Sequence, residues 1–416
     1  MLKELRFQAL SIPRRDFALV FILLFNTVIW YFMSLMWTNR LVSDAKFAYL
    51  EPLVLTVYNA AIILAGIAGS IFLSKFSRTK FLFSWMLFGA LASLSLALFD
   101  ASGTTQIVIL TAILGTSFGI GLPSCFSYFS DNTAIDNRGT IAGIILLISN
   151  LSAIPVAVLF ATLSLNLVAI SVVSGFWRLV GLVFFVSLKP REVKPSAANE
   201  KTSVAPVLGS RGFLLYLLPW LMFSLVNGLE EPIVSHSLGS DLSQMMTMVA
   251  PLIGGISAFI AGFFADRTGR KRVVVVGFVT LGLAYAVLGL ASQVAIAQYL
   301  YVLADALSGG IFLALFFLVL WGDLSNTASK EKYYAFGTAF NYLTFIIRQI
   351  SIPYVEFVPA SAAFSLAAFF LFLAVLPLMY APETVPESKI RLTQLKNYVE
   401  RAKRLGEKYP KKGNVD

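Results

Sequence analysis

The stretch Gly262-Phe-Phe-Ala-Asp266-Arg-Thr-Gly269-Arg270-Lys-Arg272 follows a long apolar run and combines two glycines, one acid and a cluster of basic residues. Gly269 permits a tight turn or a positive φ, and Gly262 lets a neighbouring backbone approach closely. Asp266 can sit at the positive N-terminus of another helix, and Arg270 can pair with carboxylates through two hydrogen bonds. A basic loop that only directs membrane insertion is the alternative, but it explains neither Asp266 nor Gly269.

A related stretch, Ser70-Ile-Phe-Leu-Ser74-Lys-Phe-Ser-Arg78-Thr-Lys80, lies earlier in the chain, with Ser74 where the later copy has its acid. Two pairs of charged residues share an offset of 192 positions: Arg78 with Arg270, and Asp131 with Asp323. Two matches at one offset indicate an internal repeat. The sequence therefore predicts two halves of the same architecture in parallel arrangement, as in some transporters.

The composition predicts a membrane protein. Of the 416 residues, 58% are hydrophobic and only 13% are charged, whereas soluble domains carry about 45–50% apolar and about 25% charged residues. The single cysteine, Cys125, excludes an intrachain disulfide and a cysteine-based metal cluster. The single histidine, His236, argues against a histidine-rich metal site or a Ser-His-Asp triad. We therefore predict no cofactor, no metal and no enzymatic activity.

Hydropathy predicts an all-α polytopic protein with twelve transmembrane helices in two six-helix bundles. The first six spans are predicted at about Phe17–Asn39, Pro52–Leu73, Phe81–Phe99, Thr105–Phe129, Gly139–Ala161 and Leu167–Leu188. The second six are predicted at about Phe213–His236, Gln244–Ala265, Val273–Ala291, Ala295–Trp321, Tyr333–Glu356 and Phe357–Tyr380. The corresponding domains are an N-terminal bundle (1–188), a polar linker (189–212), a C-terminal bundle (213–380) and a basic tail (381–416). These segments are too long for β-barrel strands and do not alternate.

The distribution of Lys and Arg predicts the orientation. With the N-terminus inside, 28 of these residues face the cytoplasm and only Arg40 and Lys46 face outward. This asymmetry follows the positive-inside rule and places both termini in the cytoplasm. It also explains the net charge of +10 as an insertion signal and a contact with lipid headgroups. Binding to nucleic acid is therefore disfavoured, and a multi-pass protein of the cell membrane is predicted.

The loop motif and the topology resemble the major facilitator superfamily. In that family, a motif like the one from Gly262 to Lys271 recurs in loops 2–3 and 8–9, and this chain has a full copy in the second and a degraded copy in the first. The start of helix 5, Arg138-Gly139-x-x-x-Gly143, also resembles the family. The resemblance implies a secondary transporter that works by alternating access, with the lipid bilayer and a small solute as partners, as a monomer.

The resemblance also implies a latch at the cytoplasmic face. By position, Asp266, Arg270 and Asp323 should form a charge relay, with Asp266 beside the N-terminus of helix 5. The predicted gate comprises Gly262, Asp266, Arg267, Gly269, Arg270, Lys271 and Asp323 with Arg78, Asp131, Arg138 and Gly139. Ser74 departs from the pattern, which questions a strictly symmetric gate.

Charged residues inside the bilayer cost about 2.5–3.5 kcal/mol each on insertion scales. Asp305 and Arg348 both lie about 15 residues, or roughly 23 Å, from the inner end of their helices. Equal depth predicts a buried pair, either structural or responsive to protons or substrate. Arg178, in a helix that the resemblance makes peripheral, is interpreted as a snorkelling or packing residue. Glu230 and Glu231, with His236 beyond, gather cations or protons or simply form a solvated helix end.

The resemblance implies that helices 1, 4, 7 and 10 line the transport path. The predicted path residues are Asp305, Arg348, Asn26, Trp30, Tyr31, Trp220, Asn227 and Tyr301. Their aromatic character favours an amphiphilic or drug-like solute, although packing is the alternative role for such side chains. Gly143 and Pro155 match only two positions of the helix 5 motif of drug antiporters, so the direction of transport stays open.

Two alternatives to transport remain. The chain lacks a phosphate-binding Gly-x-x-x-x-Gly-Lys loop, which argues against ATP-driven transport within this chain. Coupling to protons is therefore predicted. A non-transporting sensor or regulator with the same fold is the second hypothesis, and an embedded enzyme is the third. In the basic tail, residues 387–405 fit either an amphipathic helix on the inner leaflet or a disordered segment.

Overall fold

The computed structural model describes residues 12–43, 47–72, 77–98, 103–163, 166–192, 204–325, 330–385, 395, 398 and 399. Within them the structure is helical. Helices α1–α6 form the N-terminal half: Arg14–Val42, Glu51–Phe72, Arg78–Ser95, Thr104–Asp131, Arg138–Thr162 and Leu167–Ser187. Helices α7–α12 form the C-terminal half: Arg211–Ser237, Val249–Thr268, Arg270–Ala291, Ala295–Leu324, Lys330–Ser351 and Ala360–Tyr380. Residues 193–203 of the predicted linker and most of the basic tail lie outside the described residues.

Ten of these helices are long and apolar enough to span a membrane, each with at least the 20 or so residues that the hydrocarbon core requires. The other two, α3 and α11, follow the predicted order but contain more polar residues. Arg78 and Lys80 lie in the first turn of α3, and Asn341, Arg348 and Gln349 interrupt the apolar part of α11. The predicted all-α membrane fold is confirmed, and ten of the twelve predicted spans meet the requirements for length and composition.

Helices α7 and α8 belong to one continuous helical stretch, Arg211–Thr268, whereas the sequence predicts a break after His236. A straight helix of 58 residues would be about 87 Å long. Yet Tyr216, near its start, donates a hydrogen bond to the carbonyl oxygen of Pro382 (2.9 Å), and Arg270, just after its end, contacts the adjacent Glu383. The stretch therefore folds back on itself, so that α7 and α8 run in opposite directions.

Helices α4 and α10 each carry one irregularity at the same place in the repeat. Helix α4 is interrupted between Gly119 and Leu122, and α10 changes to a π-helix over Leu313–Val319. Adding 192 to the α4 interruption gives the position where the π-helix begins. Irregular turns of this kind inside long helices often accompany functional sites. Both irregularities lie in helices that the resemblance assigns to the transport path.

The two halves meet along two pairs of helices: α5 packs on α8, and α2 packs on α11. Glycines allow the closest approach between α5 and α8. A Cβ atom on Gly262 would overlap the carbonyl oxygen of Gly139, and one on Gly139 would come within 2.6 Å of the carbonyl oxygen of Gly262. The expectation that Gly262 admits a neighbouring backbone is therefore confirmed.

Candidate functional site: a charged gate between the halves

Asp266 lies at the N-terminus of α5, where backbone N–H groups have no partner within the helix. Its carboxylate accepts hydrogen bonds from the N–H of Gly139 (3.0 Å), from the N–H of Thr140 (2.6 Å) and from the Thr140 hydroxyl (2.6 Å). The carboxylate is fully buried. Because Asp266 belongs to α8 and Thr140 to α5, this contact joins the two halves, as the sequence predicts.

Arg270 holds this carboxylate and a second one together. Its guanidinium forms an ion pair with Asp266 and, through Nε, with Asp323 (3.2 Å), and it donates to the carbonyl oxygen of Ile135 (2.6 Å). Asp323 also forms an ion pair with Arg138 of α5. We call Asp266, Arg270, Asp323 and Arg138 the α8–α5 cluster. Its two aspartate side chains and Arg270 are fully buried, so their charges are satisfied only by one another and by nearby polar groups.

A second cluster joins α3 and α4 to α11. Arg78 forms ion pairs with Asp131 and Glu331, and its Nε donates to Glu331 Oε1 at 2.8 Å. Lys330 of α11 pairs with Asp131. We call Arg78, Asp131, Lys330 and Glu331 the α3–α11 cluster. Ser74 lies outside the described residues.

The two clusters are related by the repeat. Arg78 and Asp131 pair over 53 positions, as do Arg270 and Asp323. Adding 192 to Arg138 gives Lys330, so each aspartate is bound by an equivalent cation from the other half. Lys330 and Glu331 are not among the predicted gate residues, although the offset of 192 from Arg138 and Gly139 leads to both. Glu331 occupies the position equivalent to Gly139. It supplies a carboxylate to the α3–α11 cluster, in whose loop Ser74 stands at the position equivalent to Asp266.

Two glutamates that do not belong to the predicted motif form N-terminal caps on helices α9 and α3, at the end of the protein where the two clusters lie. Glu383, after α12, accepts hydrogen bonds from the N–H of Arg270 (2.7 Å) and Lys271 (3.2 Å). Glu192, after α6, accepts from the N–H of Arg78 (2.8 Å) and Thr79 (3.3 Å). The two glutamates are 191 positions apart, so the repeat extends to the ends of both halves. We call this end of the protein the motif face.

The remaining motif residues support the loop. Gly269 has φ = 105°, which confirms the positive φ expected for it. The Nζ of Lys271 donates to the carbonyl oxygens of Ala381 (3.0 Å) and Met379 (3.3 Å) and so ties α9 to the end of α12. The guanidinium of Arg267 lies 3.7 Å from the ring centre of Phe263.

The cap at Glu192 predicts a measurable pH dependence. Partial burial of Glu192 opposes ionisation, but hydrogen bonds from Thr79, Ser77 and two backbone N–H groups outweigh it and lower the pKa of the carboxyl. Its stabilising contribution is therefore complete above the ordinary glutamate pKa of about 4.3 and is lost as the pH falls through the lowered value. We expect Glu192→Gln to reduce hydrogen-exchange protection at Arg78 and Thr79 at pH 7, and the difference to close below about pH 4.

Arg191→Gln is the matched control, because Arg191 is exposed and directly precedes Glu192 in the chain. This substitution should leave protection at both amides unchanged. Equal protection of wild type and Glu192→Gln at pH 7 would contradict the cap.

Inside the C-terminal half, the structure pairs Arg348 differently from the sequence prediction. Arg348 of α11 forms an ion pair with Glu231 of α7 at 2.9 Å. Within the described residues Arg348 forms no ion pair with Asp305, which corrects the pairing inferred from equal depth: depth fixes the height of a residue but not the face of its helix. In the same half, the hydroxyls of Tyr285 and Tyr301 are 3.2 Å apart.

Two predicted path residues, Asn26 and Trp30, lie inside the N-terminal half. Asn26 donates to the carbonyl oxygen of Trp177 (2.7 Å) and accepts from Arg178 (2.8 Å), while Trp30 donates to Ser93 (2.9 Å). Arg178 is fully buried between the rings of Trp30 (4.4 Å) and Trp85 (4.2 Å). In this structure Asn26 and Trp30 therefore pack around Arg178 inside the N-terminal half, and their place in the transport path stays a prediction. Of the two roles predicted for Arg178, the fully buried side chain shows packing.

The other four predicted path residues lie in three different settings. Trp220 stacks on Phe316 with ring centres 4.7 Å apart, and both Trp220 and Tyr301 are buried within the C-terminal half. Asn227 is partly exposed on α7. Tyr31 lies at the junction of the halves, where its ring contacts Phe118 (4.8 Å), Tyr342 (6.2 Å) and Tyr58 (6.5 Å).

Comparisons with known proteins agree with this fold. A family model described as "Sugar (and other) transporter" matches residues 231–398. The human organic anion transporter MFSD10 (TETRAN) superposes with a TM-score of 0.63 and 16% identity, over 88% of this chain and 99% of that chain. A variant of the fucose:proton symporter FucP of E. coli superposes with a TM-score of 0.67 and 11% identity, over 88% and 98%.

The proton:xylose symporter XylE, bound to 6-bromo-6-deoxy-D-glucose and described as a major facilitator superfamily protein, superposes with a TM-score of 0.66 and 16% identity, over 89% and 96%. A comparison with curated protein sequences finds no significant match. The solved structures show that the chain has the fold of these transporters, and the family model shows a likeness in sequence over residues 231–398.

Proposed function

We propose that the chain is a secondary transporter that moves a small organic solute by alternating access and uses the proton gradient. The observation that carries this proposal is the pair of repeat-related charge clusters that cross between the halves at the motif face. If two rigid halves are joined by contacts at one end, those contacts must break before that end can open. This requirement supports a gating role for the two clusters. By the positive-inside rule, we assign the motif face and both termini to the cytoplasmic side of the cell membrane.

The aromatic side chains at the junction of the halves support a solute-binding site there. Tyr31 and Tyr58 come from the N-terminal half and Tyr342 from the C-terminal half, and within the described residues the buried hydroxyl of Tyr31 has no hydrogen-bond partner. Buried polar groups usually find a partner. A solute with an apolar ring or chain and a polar group would satisfy this hydroxyl, which supports an amphiphilic substrate.

Proton coupling rests on the carboxylates of the C-terminal half. Asp305 lies in a spanning helix, and within the described residues it has no ion pair, whereas Glu231 is neutralised by Arg348. An unpaired acid at membrane depth is a functional candidate because its ionised form is costly there. Among the structural neighbours, the fucose and the xylose transporter are described as proton symporters, which supports the same coupling here.

A solute screen in proteoliposomes tests this function. The purified chain would be reconstituted, a pH gradient imposed, and uptake measured for sugars, organic anions and amphiphilic amines. We expect one class to accumulate against its gradient and the accumulation to vanish when a protonophore removes the pH difference. A chain that binds a solute without moving it would favour the sensor hypothesis.

The role of Asp305 gives a sharper test in the same assay. We expect Asp305→Asn to reduce proton-driven accumulation at least tenfold while solute exchange at equal pH persists, because only the step that carries the proton is lost. Asp16→Asn, at the start of α1, is the control and should transport normally. Proton-driven accumulation that survives in Asp305→Asn would exclude Asp305 from coupling.

A further inference from the structure

An apolar cavity lies in the C-terminal half, and all of its lining residues belong to that half. It is a groove of about 450 Å³ between α7, α11 and α12, which falls in the range of small-molecule sites, roughly 300–1,000 Å³. Its walls are mostly aliphatic and include Ile233, Ile347, Ile350, Val355, Ala363 and Leu366. No step of the proposed transport cycle uses this groove.

The groove opens towards the surrounding lipid. Along its edges Ile350, Tyr354 and Leu366 are 62%, 63% and 54% exposed, and in a membrane-spanning protein such apolar surfaces face the hydrocarbon chains. A ligand dissolved in the bilayer therefore reaches the groove without passing through the aqueous path.

One carboxyl group lines this apolar groove. Glu230 of α7 is only 6% exposed, and its Oε2 atom has no hydrogen-bond partner within the described residues. The nearby cation Arg348 forms its ion pair with the adjacent Glu231 instead. Burying a charge without a partner is costly. A cation that enters the groove would supply the partner that the Glu230 carboxylate lacks.

The depth of Glu230 in the membrane is the depth at which the charged end of an amphiphile lies. Glu230 lies 19 residues after the start of α7 at Arg211, about 28 Å along the helix, close to the full thickness of the hydrocarbon core. A charged group there sits at the membrane boundary opposite the motif face, while an attached apolar chain stays among the aliphatic walls.

We propose that this groove binds a small amphiphilic organic cation, an alkylammonium, from the bilayer. The ammonium group lies against the Glu230 carboxylate, and the apolar chain packs between α11 and α12. A phospholipid is the less favourable occupant, because its phosphate would lie close to the carboxylates of Glu230 and Glu231.

Binding of tritiated decyltrimethylammonium to the full chain in nanodiscs tests the proposal. This probe carries a permanent charge, so its own ionisation does not change with pH. We expect saturable binding that is at least tenfold weaker in Glu230→Gln, which keeps the shape of the side chain but removes its charge. Ala362→Phe should weaken binding to a similar extent by filling the groove while Glu230 stays intact.

Glu51→Gln, at the start of α2 in the other half, is the control and should bind like wild type. Decylphosphocholine has the same chain and ammonium group but adds a phosphate, and we expect it to compete at least tenfold less effectively. Equal competition would assign the groove to lipid, and unchanged binding in Glu230→Gln or in a folded Ala362→Phe variant would overturn the proposal. Because the groove is separate from the proposed path, either result leaves the transport test above unaffected.

Discussion

Asp266→Asn is expected to open the motif face and to slow transport at least tenfold. The carboxylate accepts three hydrogen bonds from Gly139 and Thr140 of the opposite half. Hydrogen bonds to a charged group contribute about 1.5–3 kcal/mol each, and an amide keeps only part of this stabilisation. A loss of about 1.4 kcal/mol already changes an equilibrium tenfold.

The ion pair between Asp266 and Arg270 lies within one half, so it does not have to break when the face opens. The substitution therefore acts mainly on the closed state, which alone contains the contact with α5. This difference between the two states, rather than a loss of overall stability, gives the expected shift.

The opening can be measured by labelling a cysteine introduced in place of Ala335, which is 4% exposed and lines a narrow gap between α2, α4 and α11. Cys125, itself buried, would be replaced by serine. A water-soluble maleimide should label the introduced cysteine at least tenfold faster in Asp266→Asn. Glu383→Gln is the matched control, because Glu383 caps α9 within its own half. Equal labelling rates in the wild-type background and in Asp266→Asn would show that the Asp266 contacts do not hold the motif face closed.

Gly262→Ala is expected to force the same opening by steric means. The added Cβ would overlap the Gly139 carbonyl oxygen, a backbone atom that cannot rotate away. Helices α5 and α8 must then separate, and separation also breaks the hydrogen bonds at Asp266 one turn further along α8. We therefore expect a predominantly open motif face and a transport rate reduced at least tenfold.

Spin labels at Lys80 and Arg272 can report this change, because both side chains are exposed and occupy equivalent positions in the two halves. Their distance distribution, measured by double electron–electron resonance, should move to longer distances in Gly262→Ala. Gly309→Ala is the control, since a Cβ at Gly309 meets no atom within 4 Å. A distribution equal to that of the control would show that α5 and α8 do not hold the face closed.

The sequence predicts the fold well because two features that determine the fold can be recognised in it directly. Long apolar runs fix the spans, and the 192-residue offset fixes the relation between the halves. The contact of Asp266 with α5 was also predictable, since the positive end of a helix attracts an anion.

Contacts that depend on helix rotation were not predictable. Asp305 and Arg348 share a depth, but only the packing of α7 against α11 brings Arg348 to Glu231. In the same way, the interior position of Asn26 follows from its contacts with Trp177 and Arg178, 151 and 152 positions away. An apolar run of residues reveals a helix but does not say which of its faces meets which neighbour.

The unequal division of charge between the halves has an effect beyond the closed state. In the two clusters, the N-terminal half contributes Arg78, Asp131 and Arg138, with a net charge of +1. The C-terminal half contributes a net charge of −1 from Asp266, Arg270, Asp323, Lys330 and Glu331. Once water enters, the separated surfaces attract each other over roughly one Debye length, about 10 Å at 0.1 M salt. Reclosure is thus driven partly from a distance, and its rate depends on the ionic strength of the solution that bathes this face.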